Sequence, residues 1–328
     1  MQTKREDYLF LSAALRAREP RMLSRDRAER MLDAPSFSEC ARMLTDCGYE
    51  DMSQMSAAEI DRALSRSRAE IFRELALQPP ARALVDFFRV KYDYHNAKVV
   101  LKAEATGSEP LPMMSESGRL APEALLSAYR EERAGDMPAR LAKAMAEGKE
   151  ILARTANPQL ADFTLDRVCF EELAAIAEDR GEFLRGYVAV MADSTNLKSA
   201  VRTIRMGKTP DFLRLALVPG GRVDAERFAA AGGEGLPALF NGSPLADAAA
   251  LGAAAAEGGG MTAFEQSCDN AVMAYLRGAK LVSFGEEPVV AYLAGVENEI
   301  TAVRMILTGM LAGIAPQSIR ERLRDLYA

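Results

Sequence analysis

The chain has 328 residues, a formal net charge of −6, four cysteines, one histidine and no tryptophan. An acidic chain of this kind lacks the basic face that nucleic-acid binding requires, so we predict no nucleic-acid partner. Its apolar residues are mainly Ala, Leu, Val and Met, and this composition favours helices over sheets.

The cysteines and the histidine limit the metal and redox chemistry that the chain can support. No two cysteines are spaced as C-x-x-C, so the sequence predicts neither a zinc ribbon nor a redox pair, and we expect reduced thiols in a cytosolic protein. His95 alone cannot build the common multi-histidine metal sites. We therefore predict no metal and no cofactor. The cysteines are Cys40, Cys47, Cys169 and Cys268.

Two apolar stretches resemble membrane segments only superficially. The first, Tyr8 to Leu15, is flanked by charges and is followed by no small-x-small cleavage site, so it predicts an amphipathic helix and not a signal peptide. The second, Met305 to Ile319, contains Gly309, Gly313 and Pro316 and is too short and too interrupted to span a bilayer. The sequence therefore predicts that the chain reaches a membrane only by contacting another protein.

Helix signals run through most of the chain. Capping boxes are formed by Ser36 with Glu39, Ser56 with Glu59 and Thr262 with Glu265. Three longer helices of about 20–25 residues are predicted after Pro79–Pro80, after Gly181 and after Pro288. We predict loops at 106–122, 217–223, 231–244 and 257–261, and short helices at 121–132 and 223–232.

The three long helices share a pattern in their C-terminal halves. An Asn is followed by a basic residue six positions later and by a Gly eleven positions later, and this pattern indicates an internal repeat. We expect each Gly to end its helix in the left-handed conformation, and each basic residue to lie near the last turn, where the helix dipole favours positive charge. The three sets are Asn96, Lys102 and Gly107; Asn196, Arg202 and Gly207; and Asn298, Arg304 and Gly309.

An asparagine inside a helix needs an explanation, because its side chain competes for backbone hydrogen bonds. We favour a structural role, in which each Asn is buried and bonded to a neighbouring helix, since buried polar groups must be paired. A direct role in ligand binding is the alternative. The loops after the first two long helices also share a Gly-Arg-apolar step, at 118–120 and 221–223.

The repeat predicts an all-α protein made of three related helical units. Their approximate boundaries are 1–107, 108–209 and 210–328, and we expect one compact assembly.

Three other patterns suggest chemistry but lack the context that it requires. Residues 206–209 contain the GKT of a phosphate-binding loop, but Arg202 occupies the position of the required first glycine. The Gly258–Gly260 run has no strand-turn-helix context, and we interpret it as a linker. His95 is a candidate general base with no orienting partner beyond Asp93, so a structural or surface role is favoured.

A cluster of carboxylates lies at 170–183, and on adjacent helical turns such groups can bind a metal. Di-metal sites in helical bundles use Glu-x-x-His pairs, and no His is present here, so a solvated helix face is favoured. The cluster consists of Glu171, Glu172, Glu178, Asp179 and Glu182. No catalytic constellation is predicted.

In order along the chain, several segments resemble the family of C subunits of the bacterial and archaeal V/A-type rotary ATPases, the counterparts of the d subunit of eukaryotic V-ATPases. Tyr8 in an Arg-rich first helix and the stretch 21–51 look like the opening of that family. Residues 93–98 (DYHNAK) and 193–198 (DSTNLK) look like its Asp-x-x-Asn-x-Lys signature, and 297–327 looks like its last repeat.

The chain departs from the family pattern at two kinds of position. In the third repeat, Gly295 stands where the Asp is expected and Ile300 stands in place of the Lys. The stretch 225–260 is unusually rich in Ala and Gly, so we expect a loose or rebuilt connection there.

The resemblance implies a funnel-shaped, all-helical protein with pseudo-threefold symmetry. Such a protein would sit on the cytoplasmic end of the membrane proteolipid ring and receive the central-stalk subunits. It would turn with the rotor and transmit torque for proton or sodium transport, with no activity of its own. Two other classes stay open, namely a helical-repeat adaptor outside any ATPase and an all-helical metal enzyme that uses Glu171, Glu172, Glu178 and Asp179.

Overall fold

The computed structural model describes residues 4–328, and within that range it contains helices, turns and loops but no β-strand. The predicted all-α fold is therefore confirmed. No helix in this part of the chain has both the length and the apolarity needed to cross a membrane.

The chain forms two compact units. The terminal unit contains the residues up to Val85 together with Gly260–Ala328, and the central unit is Asp86–Gly259. The helices of the terminal unit are α1 (Leu9–Arg18), α2 (Arg25–Leu32), α3 (Phe37–Arg42), α4 (Ala57–Ala76), α13 (Met261–Arg277), α14 (Glu286–Leu311) and α15 (Pro316–Arg320). Its short 3-10 turns are Arg5–Tyr8, Glu19–Arg21, Met43–Cys47 and Gly278–Leu281.

The central unit contains the other helices. They are α5 (Arg82–Thr106), whose first four residues precede the boundary, α6 (Pro122–Arg130), α7 (Ala139–Thr155), α8 (Pro158–Glu178), α9 (Glu182–Arg205), α10 (Pro210–Ala216), α11 (Ala225–Leu239) and α12 (Ala246–Ala256). Its 3-10 turns are Leu111–Met113 and Ala134–Asp136.

Each unit is organised around a long helix. In the terminal unit, α14 packs against α1, α2, α3, α4, α13 and α15. Its apolar residues are buried on nearly every side, which matches a helix at the centre of a core. In the central unit, α9 packs against α8, α10, α11 and α12, and α7 packs along α8.

Local sequence signals place most helix starts correctly. The Ser36 hydroxyl accepts a hydrogen bond from the backbone N–H of Glu39, and Ser56 and Glu59 form the reciprocal capping box. The predicted box at Thr262 is wrong, because α13 already begins at Met261 and Gly260 is its N-cap. Thr262 lies one residue inside that helix.

The predicted loop at 231–244 is wrong over most of its length. Helix α11 continues to Leu239 through a break at Gly232, where φ is +61° and ψ is −175°. Phe228 and Phe240 are buried with their ring centroids 5.7 Å apart, so side-chain burial overrides the weak helix propensity of this stretch. Of the two expectations for 225–260, a loose or a rebuilt connection, the loose one is wrong, because the stretch forms two helices, α11 and α12, packed against each other and against α9.

The three long helices have 25, 24 and 26 residues, close to the predicted 20–25, but α14 begins at Glu286 and not after Pro288. Gly107 and Gly207 follow α5 and α9 with φ of +69° and +62°, so they are left-handed terminators as expected. Gly309 is not one. It lies inside α14, where an added Cβ would come within 2.8 Å of Cδ1 of Ile319, so this glycine lets α15 pack closely. Gly313, with φ of +69°, follows the end of α14.

Candidate functional site: side chains that clasp the loops after the long helices

Asn96, in the middle of α5, holds the loop that follows its own helix. Its Oδ1 accepts a hydrogen bond from the backbone N–H of Ser115 at 2.7 Å, and its Nδ2 donates to the carbonyl of Ser115 at 2.9 Å. The Asn96 side chain is fully buried. One amide therefore satisfies both backbone groups of a loop residue that has no strand or helix partner.

Asn196 in α9 makes the same pair of bonds. It accepts from the N–H of Val218 at 2.8 Å and donates to the carbonyl of Val218 at 2.8 Å. We expected a neighbouring helix as the partner, and this is wrong for both residues, since each binds loop backbone. A loop buried against a helix has unpaired N–H and C=O groups, and a side-chain amide can pair with one of each.

An aspartate one turn before each of these asparagines binds the same loop further along. Asp93 accepts from the N–H of Arg119 at 2.8 Å and from that of Leu120 at 3.4 Å. Asp193 accepts from Arg222 at 3.1 Å and from Val223 at 3.2 Å. These N–H groups belong to the two Gly-Arg-apolar steps of the sequence. In both loops the Arg lies four residues after the residue that the Asn binds.

The glycine of each step leaves room for the carboxylate. An added Cβ would lie 2.5 Å from Oδ1 of Asp93 at Gly118, and closer still to Oδ1 of Asp193 at Gly221. A side chain at either position would push the loop off the aspartate. We call each Asp–Asn pair with its loop a clasp; the first clasp is on α5 and the second is on α9.

The first clasp also contains a buried ion network. Arg119 donates from Nε to Oδ2 of Asp93 at 2.5 Å and from Nη1 to Oε1 of Glu172, in α8, at 2.6 Å. The hydroxyl of Tyr94 donates to Oε2 of Glu172 at 2.8 Å. Arg119 thus joins α5, the loop and α8 through charges that are largely removed from water.

The second clasp lacks this network. The side chain of Arg222 is exposed, whereas that of Arg119 is about one-fifth exposed. Burial raises the pKa of the Asp193 carboxyl, and the backbone N–H groups of Val223 and Arg222 oppose that rise. Burial likewise raises the pKa of Asp93, against the opposing charge and hydrogen bonds of Arg119.

The third repeat is built differently. Nδ2 of Asn298 donates to the carbonyl of Asp325 at 3.1 Å, and its Oδ1 is buried without a hydrogen-bond partner among residues 4–328. The position of the aspartate is Gly295, and the ring of Tyr327 lies against it, 2.7 Å from where a Cβ would be. In the third repeat the bulky side chain therefore belongs to the segment after α15, and the small residue belongs to the long helix.

Two of the basic residues of the repeat, Lys102 and Arg304, pair with neighbouring helices. Lys102 donates to Asp162 of α8 at 2.6 Å, within the central unit. Arg304 donates to Asp61 of α4 at 2.6 Å, within the terminal unit. In each unit, therefore, a long helix forms an ion pair with a helix that directly precedes another long helix in the sequence. The helix α8 precedes α9, and α4 precedes α5. Arg202 lies in the last turn of α9.

The carboxylates at 170–183 lie in different surroundings. Among the residues that the structure describes, no three His, Cys, Asp or Glu side chains are placed to hold a metal ion. Glu171 bonds to Arg167 at 2.8 Å, and Glu172 is buried against Arg119, so the predicted solvated face is wrong at Glu172. His95 is exposed, with Nε2 3.2 Å from the carbonyl of Met113.

Sequence reasoning missed one buried carboxylate. Glu299 in α14 accepts from the N–H of Leu23 at 2.6 Å and from the hydroxyl of Tyr49 at 2.6 Å. Burial raises its pKa, and these two hydrogen bonds oppose the rise. Its position beside Asn298 was the only signal in the sequence, and nothing in that pattern indicates burial.

The ionisable groups of these sites are committed to one another or to backbone. Such an arrangement offers no nucleophile with an adjacent base, and instead it fixes helices and loops in register.

The comparisons with known proteins point to one family. A family model described as ATP synthase (C/AC39) subunit matches residues 11–322. The C subunit of the V-type sodium ATPase of Enterococcus hirae is 23% identical over 326 residues, covering 98% of this chain and 99% of that protein. The C subunit of the V-type ATP synthase of Thermus thermophilus is 29% identical over 237 residues, or 68% and 71% of the two chains. The C subunit of the A-type ATP synthase of Thermococcus kodakarensis is 25% identical, with 67% and 63% covered.

Proposed function

Since the chain belongs to the ATP synthase (C/AC39) subunit family, we propose that it is a non-catalytic rotor subunit of a V/A-type ATPase or ATP synthase. It seats the central stalk on the membrane proteolipid ring and transmits torque for proton or sodium transport. The family match over residues 11–322 is the observation that carries this proposal.

The clasps support the torque-transmitting part of the proposal. A subunit that passes torque must resist sliding of one helix along another, and packed long helices alone leave the connecting loops free to move. Asp93 and Asn96, like Asp193 and Asn196, bind their loops at two points four residues apart. Because the Asp and Asn side chains of both clasps are buried, a bond broken there leaves a buried polar group unpaired, which costs about 1–3 kcal/mol.

The proposal includes an arrangement of three helical units, 1–107, 108–209 and 210–328, in a pseudo-threefold funnel. The recurrence of one ion pair, Lys102 with α8 and Arg304 with α4, supports related helical units. The protein would be cytoplasmic and peripheral, held at the membrane through the complex, with no cofactor.

Native mass spectrometry tests the proposal directly. The chain is tagged, and complexes are purified through the tag from detergent-solubilised membranes. We expect one copy of the chain together with proteolipid-ring and stalk subunits. Recovery of the chain alone, while a tag on another component recovers an intact rotary ATPase without this chain from the same extract, would refute the proposal.

A further inference from the structure

The segment Leu323–Tyr327, which follows α15, has no helix or strand of its own and is held through its backbone by side chains. Nε2 of Gln266 donates to the carbonyl of Leu323 at 2.5 Å. Oδ1 of Asn270 accepts from the N–H of Asp325 at 2.8 Å. Nη2 of Arg277 donates to the carbonyl of Leu326 at 2.7 Å. These three side chains are on one helix, α13, so that helix binds the backbone of the segment along its length.

Helix α14 holds the segment from a second side. Asn298 donates to the carbonyl of Asp325 at 3.1 Å, so the N–H and the C=O of Asp325 are bound by two different helices. Bonds of this kind recognise an extended main chain and do not depend on the side chains of the bound peptide.

Tyr327 is the anchor of the segment. Its side chain is 1% exposed, and its ring lies against Gly295 with the ammonium of Lys280 4.9 Å from the ring centroid. Its hydroxyl donates to Glu19 at 2.9 Å. Leu323 and Leu326 are also buried, at 2% and 3% exposed. Three apolar anchors on five residues supply the specificity that the backbone bonds lack.

The rim of this site is polar. Arg324 pairs with Asp269 at 2.9 Å, and Arg277 pairs with Asp325 at 3.3 Å, all with partly exposed side chains. Ion pairs of this kind add little affinity and weaken with salt.

The loops of the first and second clasps lead into further helices, α6 and α11, whereas Leu323–Tyr327 has no secondary structure of its own. The contacts given above join this segment to α13, α14 and the turns that contain Glu19 and Lys280. We propose that α13, α14 and the turn Glu19–Arg21 form a peptide-binding groove, and that Leu323–Tyr327 is its exchangeable intramolecular ligand. The ligand class is an extended peptide of pattern Leu-x-Asp-Leu-Tyr. Because the segment is tethered, its effective concentration is on the order of millimolar and the groove stays occupied. This proposal goes beyond the rotor function and is tested on the isolated chain.

The test separates the segment from the chain after folding. A protease recognition sequence is placed between Glu321 and Arg322, which are both exposed, and the folded full-length protein is cleaved there. The cleaved protein is titrated with a fluorescent peptide of residues 322–328, and binding is followed by anisotropy. We expect the helical circular dichroism to persist and the labelled peptide to enter the groove. A folded protein that takes up no peptide overturns the proposal.

Matched peptides show whether the groove recognises the predicted groups. Tyr327→Ala should weaken binding at least about tenfold, because it removes a fully buried aromatic side chain. Arg322→Ala alters an exposed position and should bind like the native peptide. Gln266→Ala in the protein should weaken the native peptide several-fold. Equal affinity of all these pairs would mean non-specific adsorption and would overturn the proposal.

A second measurement uses the intact chain, in case the cleaved protein unfolds. The amide of Asp325 should exchange with solvent through a local opening, faster than the amides of α14 and without dependence on low urea. Exchange of Asp325 only at the rate of global unfolding would mean that the segment never leaves the groove, and the proposal would fail.

Discussion

The first and second clasps bind their loops with the same two side-chain types, Asp and Asn, yet they differ in the charged groups around the aspartate. On α5, Arg119 folds inward and joins Asp93 to Glu172. On α9, Arg222 is exposed, and Asp193 is held by backbone N–H groups alone. The same local sequence, Gly-Arg-apolar, thus gives a buried ion network in one place and a plain loop clasp in the other.

The difference teaches that the clasp and the network are separable devices. The Asp–Asn pair fixes the loop to its own helix, and this needs only residues of one repeat. The network also includes α8, and it requires a carboxylate on that helix within hydrogen-bond distance of Arg119. Glu172 supplies it, and the hydroxyl of Tyr94 on α5 donates to the same carboxylate. Burial and this hydrogen bond raise the pKa of the Tyr94 phenol.

The largest expected effect breaks the network. Asp93→Ala removes one carboxylate from a buried arginine as well as the acceptor of two loop N–H groups, and we expect it to destabilise the central unit by roughly 3–5 kcal/mol. Asp193→Ala removes only the acceptor of two backbone N–H groups and should cost about 1–3 kcal/mol. Urea unfolding of each variant is followed by hydrogen exchange in peptides of α5 and α9, which reports the stability of the central unit. A signal from the whole chain would not do so, because the two units need not unfold together.

A double-mutant cycle provides the control for this pair. Asp93→Ala combined with Arg119→Met should show a coupling of about 0.5–3 kcal/mol, and Asp193→Ala combined with Arg222→Met should show almost none. Equal losses for the two aspartate variants would contradict the claim that Arg119 adds stability to the first clasp.

The next largest effect concerns the space between each loop glycine and the aspartate carboxylate. Gly118→Ala and Gly221→Ala should each destabilise the central unit by about 1–3 kcal/mol, because the new methyl group overlaps the aspartate carboxylate. Gly135→Ala is the matched control, since an added Cβ there meets nothing within 4 Å and the change should stay within about 0.5 kcal/mol. Thermal unfolding of the three variants compares them. A neutral Gly221→Ala would mean that the second loop can shift without losing its bonds.

The helices were accessible to sequence reasoning because their signals are local. Capping residues, prolines and apolar periodicity lie within each helix, and they predicted three long helices of nearly the observed length. The repeat located the asparagines of the clasps, and the resemblance to a known signature added the aspartates.

The partners of those residues were out of reach for a physical reason. Ser115 and Val218 lie 19 and 22 positions after their asparagines, and they are bound through backbone that is the same for every residue type. Burial of Glu172 and Glu299 depends on which helix covers them, and a single sequence does not state this. The prediction for Gly309 was wrong because a glycine that admits a neighbouring helix looks the same in sequence as one that ends a helix.

The pH dependence of stability tests a buried carboxyl of the terminal unit, Glu299, which is not part of the clasps of the central unit. Burial raises the pKa of Glu299, against the opposing hydrogen bonds of Tyr49 and Leu23 and the charge of Arg27. A carboxyl with a raised folded-state pKa binds more protons in the folded chain, so its contribution to stability falls as pH rises from about 4 through the folded pKa. Glu299→Gln removes this titration.

The stability difference, variant minus native, should therefore increase with pH across that window and stay constant above it. Urea titrations at several pH values, followed by hydrogen exchange in peptides of α14, give this difference. Glu70→Gln, which changes an exposed glutamate of α4, is the control and should retain the slope of the native chain. A difference that decreases with pH would mean that the charged form of Glu299 is the stabilised one.

The smallest expected effect concerns the ion pairs that recur in both units. Lys102 and Asp162 are 47% and 27% exposed, and Arg304 and Asp61 are 38% and 53% exposed. Such pairs are screened by water and salt, so Lys102→Ala and Arg304→Ala should each cost only about 0.2–1 kcal/mol, and about 1 M salt should remove most of the loss. Asp93→Ala should keep its loss at the same salt concentration, because its partners are buried. If Arg304→Ala instead matched Asp93→Ala in size and in salt resistance, the repeated pair and not the clasp would be what holds the long helices in register.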